Sequence, residues 1–304
     1  METLGTMTYE VDNRIARITL NRPERGNGIT MDLPRELAEC VEKANLDPDV
    51  HVIALAGNGS GFCGGYDLVE SAEERMDGDA SDHRPAGSPL DPAVQANNHD
   101  PEQTWDPTVD YAMMSRNVKR FMSLFHGEKP VVCKVHGFCV AGGTDMALCS
   151  DLLLIADDAK IGYPPARVWG SPTTSLWVYR LGLQKAKRLL FTGDCLNGRE
   201  AVDWGLALES APAEELDERF ETLLARIAQM PKNQLIMMKM LTNQTLHNQG
   251  LETTQMLGTL FDGITRHTPE GYAFQQLAAE EGFKEAVRER DEPFGDYGMK
   301  TFKG

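Results

Sequence analysis

Apolar and polar side chains alternate from Ile15 to Leu20, a period that predicts a strand, and the strand runs into the turn-prone stretch Asn21-Arg22-Pro23-Glu24-Arg25-Gly26-Asn27-Gly28. Leu33, Leu37, Val41 and Ala44 then recur at three- and four-residue steps, which predicts a helix whose other side carries Glu36, Glu39 and Glu42. Val50 to Ala56 is almost continuously apolar, as a strand buried on both faces is, and it feeds the glycine-dense loop from Gly57 to Gly65.

From about Ser71 to Pro107 the pattern dissolves into Asp, Glu, Ser, Gly, Pro and Asn, which predicts a polar insertion with mobile parts. Order resumes with an amphipathic helix around Tyr111 to Phe125, a strand over Val131–His136, and a glycine turn opening another helix over Gly137–Asp145. A further strand, Asp151 to Ala156, precedes the proline-rich Tyr163-Pro164-Pro165, and from Gln184 onward helical periodicity dominates without clear strands. The expected architecture is an α/β core over residues 1–205, interrupted near 71–107, followed by a helical region over 206–304.

Composition narrows the possible partners. A formal net charge of −16 disfavours nucleic acid, whose phosphates call for a basic face, although a local basic patch could still hold one anionic group. No apolar run approaches the roughly 18 residues of a membrane span, and the first twenty residues show no secretory pattern, so a soluble cytoplasmic protein without membrane contact is expected. Cys40, Cys63, Cys133, Cys139, Cys149 and Cys195 form no CxxC pair and lie mostly in apolar stretches, which suits buried reduced thiols better than disulfides or a metal site.

The chemistry lies in the two glycine loops. Each follows an apolar strand and opens a helix, so backbone N–H groups can approach a ligand where the helix start adds positive potential. Such donors stabilise an oxyanion, and for a thioester that means the enolate or tetrahedral state formed beside the carbonyl. Phe62-Cys63-Gly64-Gly65-Tyr66-Asp67-Leu68 and His136-Gly137-Phe138-Cys139-Val140-Ala141-Gly142-Gly143-Thr144-Asp145-Met146-Ala147 resemble the paired loops of the enoyl-CoA hydratase/isomerase (crotonase) superfamily. Asn21-Arg22-Pro23, Phe191-Thr192-Gly193-Asp194, Ala201-Val202-Asp203-Trp204-Gly205-Leu206 and Arg288–Phe294 resemble its remaining signatures in the expected order.

The resemblance implies a spiral of βαβ turns followed by helices that assemble a trimer or a pair of trimers. It implies an acyl-CoA substrate, no separate cofactor since coenzyme A is part of that substrate, and no metal. It places the oxyanion donors at the N–H groups of Tyr66 and Gly142, supported by Gly65, Asp67 and Gly143, with Asp67 expected to fix the loop. Arg25 and Lys284 are its candidates for the CoA phosphates.

Two departures set this chain apart. Asp145 stands where the family has its first glutamate, one carbon shorter and therefore about 1.5 Å further back. The family's second glutamate, in Gly-x-Pro-Glu, is replaced in Gly162-Tyr163-Pro164-Pro165, and Pro165 has no proton to give. Asp145 is thus the expected catalytic or water-positioning residue. Glu70, Tyr66, Tyr163 and His136 are possible substitute acids, and Glu70, Pro165, Trp169 and Trp177 are possible pocket residues.

A hydratase of fatty-acyl or related esters is one reading. A double-bond isomerase, a hydrolase, a decarboxylase or a non-catalytic acyl-CoA-binding paralogue is the alternative. Gly59–Gly64 does spell a GxGxxG, but the polar insertion stands where a dinucleotide fold needs its next helix and strand.

Overall fold

A computed structural model describes residues 1–68 and 83–295. Strands β2 (Met7–Asp12) and β3 (Ile15–Leu20) fold back through Asn13 and Arg14, both at positive φ (49° and 68°), the left-handed pair whose twist matches a two-residue hairpin. The short β1 (Glu2–Thr3) adds an antiparallel edge. The chain then crosses through α1 (Leu33–Leu46) to β4 (Val52–Gly57), which pairs parallel to β3 from Ile15↔Val52 to Leu20↔Gly57.

β5 (Val131–Val135), β7 (Leu152–Ala156) and β10 (Glu209–Ala211) extend the parallel run, giving the order β1-β2-β3-β4-β5-β7-β10. A second sheet, β6 (Phe138–Val140), β8 (Lys160–Gly162) and β9 (Cys195–Asn197), lies beyond the ends of β5 and β7 in the chain, in the order β6-β8-β9. Ile18, Ile53, Leu55, Val131, Cys133 and Leu154 are fully buried, as central strands covered on both faces require. All six cysteines are buried.

Among the described residues, the helices of six or more residues that follow α1 are, in chain order, α2 (Pro92–His99), α3 (Pro107–Phe121), α4 (Gly142–Ala147), α5 (Leu183–Thr192), α6 (Gly198–Trp204), α7 (Ala213–Ala228), α8 (Lys232–Asn248), α9 (Leu251–Arg266), α10 (Pro269–Glu281) and α11 (Phe283–Asp291). The α/β spiral followed by a helical C-terminal region agrees with expectation. None of the described helices is long and apolar enough to cross a membrane.

Four local expectations need correction. Glu36 does not face solvent: its carboxylate is buried and accepts the N–H groups of Gly5 (3.2 Å) and Thr6 (2.8 Å) and the Thr6 hydroxyl (2.7 Å), donors that the turn after β1 leaves without strand partners. The last third contains β9 and β10, each three residues and too short to leave a period in the sequence. The helix expected at Tyr111–Phe125 starts at Pro107 and breaks at Met122, with a separate turn over Ser123–His126. The insertion carries α2, capped by the Asp91 side chain on the Ala93 N–H; its inward face presents Gln95 and Asn98, so burial here is polar and leaves no apolar signal.

Candidate active site

The two glycine loops leave the C-terminal ends of β4 and β5, where open parallel sheets place their ligands. They are laced together: the N–H groups of Phe62 and Cys63 both donate to Phe138 O (2.9 and 3.2 Å), and Val140 N–H donates back to Cys63 O (3.0 Å). Gly65 sits at φ +98°, and a Cβ there would lie 2.7 Å from Ala141 Cβ and 3.4 Å from Gly142 N, so only glycine permits this approach. A Cβ on Gly143 would fall 2.6 Å from Cys63 O. Flanking bonds occupy Gly65 O (from Ile29 N–H, 2.8 Å) and Asp67 N–H (to Ile29 O, 3.0 Å), which aligns the intervening Tyr66 peptide beside the Gly142 peptide that opens α4.

Ala141, immediately before Gly142, has φ 54° and ψ −130°, a conformation that costs a non-glycine residue about 1–3 kcal/mol. The strain is held at the residue that leads into α4.

A cavity of 370 Å³ opens beside these peptides, lined by Gly64, Tyr66, Ala141, Gly142, Asp145, Tyr163, Pro165 and Trp169 among others. Asp145, on α4, is 2% exposed, and its Oδ1 accepts the Thr174 N–H (3.0 Å) and hydroxyl (2.7 Å). Burial pushes its carboxyl up to about 7, and the Thr174 bonds hold it from going further. Tyr66 and Tyr163 are both pushed up by burial and then by the charges of Asp145 and Asp262, so each phenol keeps its proton.

The remaining sequence candidates divide. Asp67 is held by Arg25 through two bonds, 2.7 and 3.0 Å, and by Arg22 at 3.4 Å, so it ties the first turn to the first glycine loop. Arg25 pairs with Asp67 while its side chain stays 37% exposed, Lys284 is exposed on α11, and neither lines the cavity. Pro165 and Trp169 do line it, Trp169 standing 5.4 Å from the Phe274 ring. Trp177 does not: it is 1% exposed and packs in the core, where it and Leu181 form the buried side of a short helical turn. His136 is likewise away from the cavity, its Nε2 lying 2.9 Å from Gly59 O. Glu70 falls outside the described residues.

Sequence reasoning did not single out Asp262, Arg266, His99, Lys160 or Arg290, all of which line the cavity. A signal existed for Asp262: Gln255, Gly258, Thr259, Asp262 and Gly263 share the buried face of α9, so the small and polar residues at helical spacing mark the inward side. Asp110 gathers the surroundings, accepting from Trp105 Nε1 (2.6 Å) and Asn98 Nδ2 (3.3 Å) and pairing with Arg266 (3.1 Å), which fastens α2 and α3 to α9. From the far side, Arg167 joins Asp291 (3.1 Å) and Asp194 (3.2 Å) in a buried network under the Phe294 ring, docking the end of α11 against the proline turn.

Residues 10–97 and 103–283 match a family model described as enoyl-CoA hydratase/isomerase. A crystal structure of an enoyl-CoA hydratase from Mycobacterium smegmatis is 56% identical and superposes with a TM-score of 0.91, covering 98% of this chain and 97% of that one. The 1,2-epoxyphenylacetyl-CoA isomerase of Escherichia coli K12 is 27% identical over 78% of this chain and 82% of its own length. The crotonyl-CoA hydratase of Syntrophomonas wolfei is 26% identical over 80% and 82%.

Proposed function

We propose that this chain, which belongs to the enoyl-CoA hydratase/isomerase family, binds an acyl-CoA ester with its thioester oxygen between the N–H groups of Tyr66 and Gly142 and stabilises the enolate formed when the α-carbon reacts. The observation that carries the reading is the forced approach of Gly65 to the Gly142 peptide at the mouth of a cavity holding a buried carboxylate. Two peptide dipoles fixed before the substrate arrives stabilise charge on oxygen without reorganising, and one such donor contributes about 3 kcal/mol to the barrier.

Asp145 then handles the proton or the water. A carboxyl titrating near neutrality exchanges protons in both directions at little cost, as acid–base catalysis needs. Hydration of an enoyl-CoA is the reaction we favour. Isomerisation is the second reading, supported by Pro165 in place of an acid, since moving a double bond requires fewer proton-transfer groups. Met31, Leu90, Met113, Trp169 and Phe283 make much of the wall apolar, and Leu90 and His99 bring the insertion to it, which supports a bulky acyl group shaped in part by that insertion.

Arg25 and Lys284 remain the candidates for the CoA phosphates. The six buried thiols fit a reducing cytoplasm, and the setting we propose is fatty-acid or related acyl-CoA catabolism. Met237, Met240 and Leu241 on α8 and Met256, Leu257 and Phe261 on α9 are exposed, a surface that supports assembly into a trimer or a pair of trimers.

The test is loss of enoyl absorbance with crotonyl-CoA and longer or aryl enoyl-CoAs, alongside product analysis for a shifted double bond. Turnover that Asp145→Ala reduces at least about a hundredfold is expected. Tight binding of CoA esters with no turnover on any of them would overturn the enzymatic reading.

A further inference from the structure

The cavity contains a second carboxylate that no loop motif announces. Asp262, in the C-terminal half of α9, lines the same cavity as Asp145 and is 8% exposed. Its position is marked by Gly170: a Cβ built there would stand 3.3 Å from Tyr163 Oη, 3.4 Å from Pro165 Cβ and 3.8 Å from Asp262 Oδ1. One small volume is therefore bordered by the proline that replaced the expected acid and by a carboxylate oxygen arriving from a different helix.

Asp262 is oriented without being used up. Its Oδ2 pairs with Arg266 at 3.2 Å, while Oδ1 accepts a long bond, 3.4 Å, from the Ser171 N–H. Arg266 is shared with Asp110 at 3.1 Å, so one guanidinium serves two buried carboxylates, and Asp145 adds a third nearby whose charge is felt at the same two phenols. Crowding acids in this way favours keeping a proton on one of them, which suits a proton donor.

We propose that Asp262 is the second proton-transfer group of this site, replacing from α9 the acid absent at Pro165. The proposal rests on the acyl-CoA reading above and completes it for hydration. A water held by Asp145 gives it a proton as the water oxygen bonds to Cβ; the Cα=Cβ electron pair moves into an enolate held by the Tyr66 and Gly142 N–H groups. Collapse of the enolate takes the proton of Asp262 to Cα. Asp145 then holds the extra proton and Asp262 lacks one, and exchange with solvent restores both. The sum is one water added and nothing oxidised.

The experiment uses the full chain, comparing wild type with Asp262→Asn, Asp262→Glu and Asp262→Ala. Turnover of an enoyl-CoA, incorporation of solvent deuterium at Cα during turnover, and calorimetric affinity for a saturated acyl-CoA of the same length are measured. The expected result is that Asp262→Asn binds the saturated ester within about threefold of wild type and loses at least about a hundredfold in turnover and Cα labelling. Asp262→Glu, reaching the same volume from one carbon further out, recovers at least about a tenth of wild-type turnover.

Turnover and labelling in Asp262→Asn within about threefold of wild type would overturn the role. So would equal loss of affinity and turnover in all three variants, which marks a residue that only holds Arg266 and α9 in place. A wild-type chain inert on every ester tried overturns the function itself, and that outcome is read from the wild-type control before any variant is considered.

Discussion

Thr174 gives Asp145 two hydrogen bonds, the N–H at 3.0 Å and the hydroxyl at 2.7 Å, and both fall on the same oxygen, Oδ1. These bonds stabilise the ionised form against the burial that opposes it. Thr174→Val keeps the shape and the peptide donor while deleting the hydroxyl. The Asp145 carboxyl should titrate higher still, moving the corresponding limb of the kcat/KM profile to higher pH, with stability lowered by about 1–2 kcal/mol. An unmoved limb in steady-state kinetics would show that Asp145 is not the group being titrated.

Asp145 also imposes a pH dependence on folding. Its folded-state carboxyl, near 7, lies above an ordinary unfolded value near 3.8, so between those values the folded chain binds more protons than the unfolded one. Stability therefore falls as pH rises from about 4 to about 7 and the penalty is fully present above that window. Asp145→Asn removes it: the variant should match wild type near pH 4 and exceed it by at most ~4 kcal/mol at pH 8, measured by denaturant unfolding at both pH values.

Gly65→Ala tests the geometry of the paired peptides. The added methyl would meet Ala141 Cβ at 2.7 Å and must also adopt φ +98°, so the two loops have to separate. We expect kcat/KM to fall about a hundredfold, equivalent to ~3 kcal/mol of barrier, in assays run well below the melting temperature. Unimpaired turnover would remove these peptides from the mechanism.

The dock at the end of α11 should be sensitive to single changes. Arg167 and Asp291 are each 1% exposed in the pair, so Asp291→Ala leaves a guanidinium buried with less compensation. A loss of about 3–5 kcal/mol is expected, together with weaker acyl-CoA affinity because Phe283, Val287 and Arg290 of the same helix line the cavity. Calorimetric melting and ester titration check the two effects separately.

Assembly through the helical region is read from mass. Replacing Met240 and Leu241, each 65% exposed, by glutamate should convert a trimeric or hexameric wild type into monomers in sedimentation velocity. A wild type that is already monomeric removes the assembly proposal.

Much of this molecule was legible in its residues. Ile15–Leu20 and the apolar run from Val50 declare their strands because a two-residue period or continuous burial is a local property. The two glycine loops are local as well, since a backbone that must approach another leaves glycine in its wake, and their order along the chain identified the family. That Pro165 stands where the resemblance places an acid was legible for the same reason: the motif around it is contiguous.

What the sequence could not show depends on contacts between distant segments. Glu36 looked solvent-facing until the turn after β1 brought it two N–H groups, and Trp177, open in the sequence to either pocket or core, is assigned to the core by packing. Asp145 and Thr174 are 29 residues apart, and nothing in either segment indicates that one holds the other. Asp262 is the sharpest case: helical spacing marks the inward side of α9, and only the packing of α9 against α3 brings that carboxylate to the volume that Pro165 also borders. Periodicity and motif report how a segment meets its immediate surroundings, whereas the composition of a cavity is decided by which segments burial forces together.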